Sequence, residues 1–206
     1  IFRDDQCFPI KGAHPSTWRK DPQRAGHGTL IEHSIHDLDL AEWIFGPVVS
    51  LRAETAERFG VAGIEDLARV DLTFSSGMTG TLISAWHDVE ERHSNRRLEI
   101  FYEKAFIAVE AEFTGPIMTQ KGKGALASIP EAEINRRFFA RRGIKDPVLQ
   151  KLSLKIGARE DYLFVKSVID GKPATPDFSV AVRAHELIDA CYRSAKSGGR
   201  RVRVKR

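Results

Sequence analysis

Apolar residues along this chain recur at two different spacings, and the changes of spacing mark its elements. Over 29–46 they return every third or fourth position: Leu30, Leu38, Ala41 and Phe45 line up with Ser34, and Ile31 and Ile35 flank the stripe. That is the buried face of a helix. Thr29 stands where a cap belongs, Glu32 follows three residues later, and Gly46-Pro47 ends the run. After Pro47 the period drops to two. Ala68, Val70, Leu72 and Phe74 alternate with Arg69, Asp71 and Thr73, the pattern of a strand with one wet face. Ser75-Ser76-Gly77 reads as a turn and 80–86 as the returning strand. A second hairpin is expected over 97–102 and 105–109, turning at Glu103-Lys104, and a further strand over 48–56.

Residues 1–28 read as an entry strand followed by a loop rich in Gly, Pro and His. Residues 119–158 keep neither period, apart from a short helix around 131–141, and read as an irregular arm of the kind that forms a lid or an interface. Beyond it a helix over 159–170 ends at Gly171. Another helix follows Pro176-Asp177 and is expected to bury Val180, Ala184, Leu187, Ile188, Cys191 and Ala195. Val202 and Val204 then alternate with basic residues as a final strand. Helices and antiparallel strands in separate blocks make the fold class α+β: an open, mostly antiparallel β-sheet with helices packed on one face, in a single domain over 1–206. The other face must be wet or paired, so a homo-oligomer through that open face is expected.

Composition narrows the class of protein. The 206 residues are 42% hydrophobic and 29% charged, enough to build a core rather than a disordered chain. The net charge of +4 is spread over Arg136-Arg137, Arg141-Arg142 and 200–206, and a solvated surface is the simpler reading than nucleic-acid binding. No run approaches the ~20 apolar residues of a membrane helix, and I-F-R-D-D-Q-C-F-P-I at 1–10 lacks the basic-then-apolar plan of a signal peptide. Cys7 and Cys191 lie far apart and read as reduced thiols of a cytoplasmic protein. Without an initial methionine, the chain reads as part of a longer protein.

The densest polar cluster is G-H-G-T-L-I-E-H-S-I-H-D at 26–37. Glu32 and His36 are four residues apart, so they share a helical face, and a carboxylate beside an imidazole can orient it for proton transfer. His33 and Asp37 repeat the spacing. Two plainer roles compete: Thr29-x-x-Glu32 fits a capping box, and a Glu–His pair is often a surface pair. The set does not match a zinc motif. Around the cluster, Gln6, Lys11, Trp18, Arg19, His33 and His87 are the candidates for holding a substrate. Arg19 is suited to clamp an anionic or hydroxylated group, and His87 ends a strand. No G-x-G-x-x-G, Walker or G-x-S-x-G sequence occurs, so neither a complete nucleotide-binding unit nor a serine hydrolase elbow is present.

The order of these pieces is telling. The run W-R-K-D-P-Q-R-A-G-H-G-T-L-I-E-H-S-I-H-D-L-D-L-A-E-W-I-F-G-P at 18–47 resembles the start of the C-terminal domain in the glucose–fructose oxidoreductase/inositol dehydrogenase family. G-I-E-D at 63–66, the strand–S-S-G–strand hairpin and the ending A-H-E-L-I-D-A-C-Y-R-S-A-K-S-G-G agree with it. The resemblance implies an enzyme that transfers hydride between NAD or NADP and a hydroxyl or carbonyl of a sugar, cyclitol or related small molecule. It implies an N-terminal Rossmann domain for the cofactor, and a C-terminal sheet that forms the substrate floor and the oligomer contact. His36 matches the position of the family's catalytic histidine, and Glu32 that of its catalytic aspartate. The family's catalytic lysine belongs to an E-K-P motif of the N-terminal domain; Glu103-Lys104-Ala105 imitates it in a hairpin turn and is a decoy. The alternative within the same fold is a ligand-binding and oligomerisation domain without turnover.

Overall fold

A computed structural model describes residues 1–7, 17–89, 91–92, 94–110, 115–155 and 157–205. Among these residues nine strands make one sheet: β1 (Phe2–Cys7), β2 (Val48–Ala56), β3 (Leu67–Phe74), β4 (Thr79–His87), β5 (Asn95–Tyr102), β6 (Ala105–Val109), β7 (Ile117–Lys121), β8 (Ala127–Ile129) and β9 (Val202–Arg203). Their spatial order is β8-β7-β6-β5-β1-β4-β3-β2-β9. Every neighbouring pair is antiparallel except β1 with β4. The first strand is thus inserted between two hairpins, and its end lies beside the end of β4, Gln6 opposite Trp86 and Cys7 opposite His87.

The helices are α1 (Pro22–Ala25), α2 (Ile35–Phe45), α3 (Glu131–Arg142), α4 (Pro147–Ser153), α5 (Ala158–Ile169) and α6 (Phe178–Lys196). Two of them, α2 and α6, cover one face of the sheet. Leu30, Leu38 and Ala41 meet Leu51, Val70, Leu72, Phe74 and Leu82 of the sheet, with Leu187, Ile188 and Cys191 of α6 closing the same cluster. Each fully buried leucine here contributes about 1.5–3 kcal/mol. The period-two reading of β3 holds, with Ala68, Val70, Leu72 and Phe74 all buried. The sheet's other face carries ion pairs made within it, as in Arg69 with Asp71 at 3.1 Å and Arg97 with Glu99 at 2.7 Å, beside the exposed Ile83 and Phe101. Arg183 grips Glu42 through two nitrogens, at 2.9 and 2.8 Å, and so fastens the end of α2 to α6. The same carboxylate accepts the Val48 N–H at the start of β2.

Three expectations need correction. The stretch 119–158, read as irregular apart from a short helix around 131–141, contains that helix as α3 and also the end of β7, then β8 and α4. Helix α4 buries no residue, so it lacks the apolar stripe by which a helix is recognised. The edge strands extend the sheet by main-chain pairing, which needs no apolar period. Val180 is 37% exposed, because burial in α6 begins only at Ala184. The helix expected over 29–46 begins as a wider π turn, Leu30–Ser34, before α2. Among the described residues, no helix is long and apolar enough to cross a membrane.

Candidate active site

The parallel ends of β1 and β4 form a ledge, and the π turn lies over its helix-covered side. What holds the turn there is Glu65, from the loop before β3 and 4% exposed. Its carboxylate accepts the N–H of Gly28 at 2.7 Å and of Leu30 at 3.0 Å, and its carbonyl accepts that of Thr29 at 2.9 Å. The first N–H groups of a helix lack internal partners, and here a buried carboxylate supplies them from a distant segment. The Tyr192 hydroxyl donates to the same carboxylate at 2.9 Å. Burial first, and then the Glu65 charge, raise the Tyr192 phenol above its ordinary pKa. His27 stacks on Tyr192 with ring centroids 4.1 Å apart.

This arrangement displaces the capping box. Thr29 has a helical backbone and no capping bond, and its hydroxyl pairs instead with Ser84 Oγ at 2.6 Å. Glu32 is free to turn outward, where its carboxylate accepts from Arg19 Nε at 2.5 Å. The Arg19 guanidinium lies over the Trp18 ring, 4.6 Å from its centroid. The expected Glu32–His36 contact is not made: among the described residues Glu32 bonds Arg19, and His36 has no hydrogen-bond or ion-pair partner. His36 stands exposed on the first turn of α2.

Beneath the turn lies a second polar layer. His33 Nδ1 accepts the Trp86 indole N–H at 2.7 Å. Gln6 donates to Asp4 Oδ1 at 2.8 Å. Asp4, at 0% exposure, and Asp37, at 2%, flank Arg96, whose guanidinium lies 3.6 Å from the first and 2.8 Å from the second. Burial pushes the Asp37 carboxyl up to about 7, against the pull of Arg96 and with the Asp4 charge adding to the rise. A carboxyl raised from 3.8 to about 7 keeps in the folded state a proton that the unfolded chain has released. Its contribution to stability is therefore full below about pH 4 and lost as the pH rises to about 7. Asp37→Asn is expected to flatten that fall, which one such group limits to about 1.4 kcal/mol per pH unit. Urea unfolding of both proteins across that range measures it, and parallel slopes would refute it.

The structure thus brings together Gln6, Arg19, Glu32 and His33, with Trp18 behind Arg19 and His36 at the rim. His87 is on the opposite face of the sheet, because β-strand side chains alternate and Trp86 takes the helix side. There it lies 3.7 Å from Asp5 and 3.1 Å from Arg92, which also pairs with Asp5. Burial alone would raise the Asp5 carboxyl, but Arg92, Arg3 and His87 together hold it below its ordinary value. Lys11 lies outside the described residues. Sequence reasoning missed Glu65, Asp4 and Arg96 as parts of the site, and in place of the expected pair His33 bonds Trp86 while Asp37 pairs with Arg96. The G-I-E-D run at 63–66 was the available signal for the first. Among the described residues no cluster of His, Cys, Asp and Glu is placed to hold a metal.

Comparison with known proteins agrees with this architecture. Residues 2–108 match the GFO/IDH/MocA C-terminal domain. A levoglucosan dehydrogenase in complex with NADH and L-sorbose superposes with a TM-score of 0.77 at 18% identity, covering 100% of this chain and 57% of that one. An aldose-aldose oxidoreductase from Caulobacter crescentus, complexed with glycerol, gives 0.72 at 20% identity, covering 98% and 55%. An inositol dehydrogenase homolog from Azotobacter vinelandii, complexed with NAD+, gives 0.70 at 18%, covering 98% and 57%. At such identities the likeness is one of fold, and the chain spans somewhat over half the length of these structures. No curated protein matches the sequence.

Proposed function

Since the chain belongs to the GFO/IDH/MocA family through its C-terminal domain, we propose that it is the substrate-binding side of an NAD(P)-dependent oxidoreductase acting on a sugar, cyclitol or related polyol. The observation that carries this reading is the state of His36. Glu32, His33 and Asp37 around it are each held by a partner, whereas the exposed His36 imidazole bonds nothing among the described residues. An imidazole so placed is fit to exchange a proton with an incoming hydroxyl.

The helix start at this site does not fit a pyrophosphate. The N–H groups of Gly28 and Leu30, which a phosphate would need, are filled by the Glu65 carboxylate. A nicotinamide cofactor would therefore have to be held elsewhere than at this helix start. This chain's own part is binding and proton handling. Arg19 and Glu32, locked to each other over Trp18, offer donors and acceptors to neighbouring hydroxyls. Gln6 adds an amide. His36 takes the proton of the reacting hydroxyl as its carbon becomes a carbonyl, and returns it in the reverse direction.

A second reading, a ligand-binding and self-associating domain without turnover, takes its support from α5. Its Phe164, Val168 and Ile169 are 61%, 65% and 78% exposed, surface suited to a partner. Assay of the full-length protein against sugars and cyclitols with NAD+ and NADP+ separates the two. The oxidoreductase reading expects polyol-dependent formation of reduced nicotinamide with at least one pairing. Ligand binding without any turnover across the panel would favour the second.

A further inference from the structure

The innermost polar contact of the site joins residues that are far apart in sequence. Trp86, 4% exposed at the end of β4, reaches across to His33 in the π turn. Its indole N–H donates to Nδ1 at 2.7 Å, and the rings meet edge to face at 82°. An indole N–H can only donate, so the imidazole nitrogen facing it carries a lone pair and no proton. The neutral ring then holds its proton on Nε2. Adding a second proton at Nδ1 would break the bond and leave two buried N–H groups facing each other. Among the described residues, the charged groups around the ring include Asp4 of β1, Glu32 of the turn, Arg96 of β5 and Arg19 of the 3-10 turn Thr17–Lys20. Burial outweighs the two carboxylates and lowers the imidazole below its ordinary pKa.

We infer that Trp86 is a positioning residue: its indole N–H fixes His33 as the Nε2–H tautomer, making His33 an obligate hydrogen-bond donor and leaving proton exchange to His36. The tautomer stands on the geometry alone; its consequence for catalysis rests on the polyol reading above. A fixed N–H donor selects an oxygen lone pair, so His33 adds recognition of a hydroxyl or carbonyl oxygen rather than a second base.

Nitrogen-15 NMR of the histidine rings in this chain tests the tautomer directly. In the wild type, His33 is expected to show protonated Nε2 and bare Nδ1, without titrating over roughly pH 5–8. In Trp86→Phe it is expected to populate both tautomers. A wild-type His33 that titrates freely, or that is protonated at Nδ1, overturns the inference. Should Trp86→Phe fail to fold, His33→Gln and His33→Leu provide the second reading. A glutamine oxygen can still accept from Trp86 while its amide donates, so the Trp86 indole proton should stay protected from exchange in His33→Gln and lose protection in His33→Leu. Equal protection in both would overturn it too. In the full-length enzyme, His33→Leu should raise KM about tenfold, the loss of one hydrogen bond, with kcat nearly kept, and His33→Gln should recover most of it. If that enzyme turns over no polyol, the polyol reading fails while the NMR result stands.

Discussion

Gly28→Ala is expected to cost about 4 kcal/mol or more, enough to leave much of the protein unfolded or insoluble. The reason is a close approach of backbone to backbone. A Cβ at Gly28 would lie 1.8 Å from the Glu65 carbonyl oxygen and 2.7 Å from that residue's carbonyl carbon and nitrogen. Rotamer changes cannot relieve this, because none of the three atoms belongs to a side chain. Retreat of either segment would break the Gly28, Thr29 and Leu30 N–H bonds to Glu65 together, and with them the start of the helix that carries Glu32, His33 and His36. Gly122→Ala is the natural control. Its φ is +56° but nothing lies within 4 Å of the added Cβ, so only the backbone cost of about 1–2 kcal/mol applies. Urea unfolding measures both. A Gly28→Ala protein no less stable than Gly122→Ala would refute the close approach.

That contact also shows where reading the chain reached its limit. Elements whose period is imposed by burial were legible. The stripe Leu30, Ser34, Leu38 and Ala41 is fully buried, and the alternation of β3 matches its two faces. Contacts between distant segments were not. Thr29-x-x-Glu32 reads locally as a capping box, but Glu65, thirty-odd positions on, competes for the same N–H groups with a geometry that sequence does not display. With Glu65 in place, Glu32 pairs with Arg19 and the helix opens with a π turn. The separation of His87 from the rest was legible in principle, since Trp86 and His87 are consecutive in a strand and must face opposite ways. Helix α4 left no trace, because a helix that buries nothing needs no apolar period.

Self-association remains with the proposal. The sheet face away from α2 and α6 exposes Ile83 and Phe101 but also carries charges already paired within it, such as Arg69 with Asp71 and Arg97 with Glu99. Exposed pairs of that kind contribute little individually, typically about 0–1 kcal/mol. A second copy covering that face would have to accept them as pairs rather than unpaired ions, or the desolvation would exceed the gain. The apolar surface of α5 carries no such cost.

The claim on which the account depends is that His36 exchanges the proton of the reacting hydroxyl, and kinetics of His36→Ala in the full-length enzyme test it most directly. His36 is exposed and, among the described residues, supports no other by a hydrogen bond, so its removal should leave folding and Tm close to the wild type. General acid–base catalysis by a placed imidazole contributes about 10²–10⁴-fold. The expected result is a fall in kcat and kcat/KM of that order, with nicotinamide Kd unchanged. A His36→Ala enzyme that keeps its turnover, in the same fold and with the same cofactor affinity, would contradict the assignment.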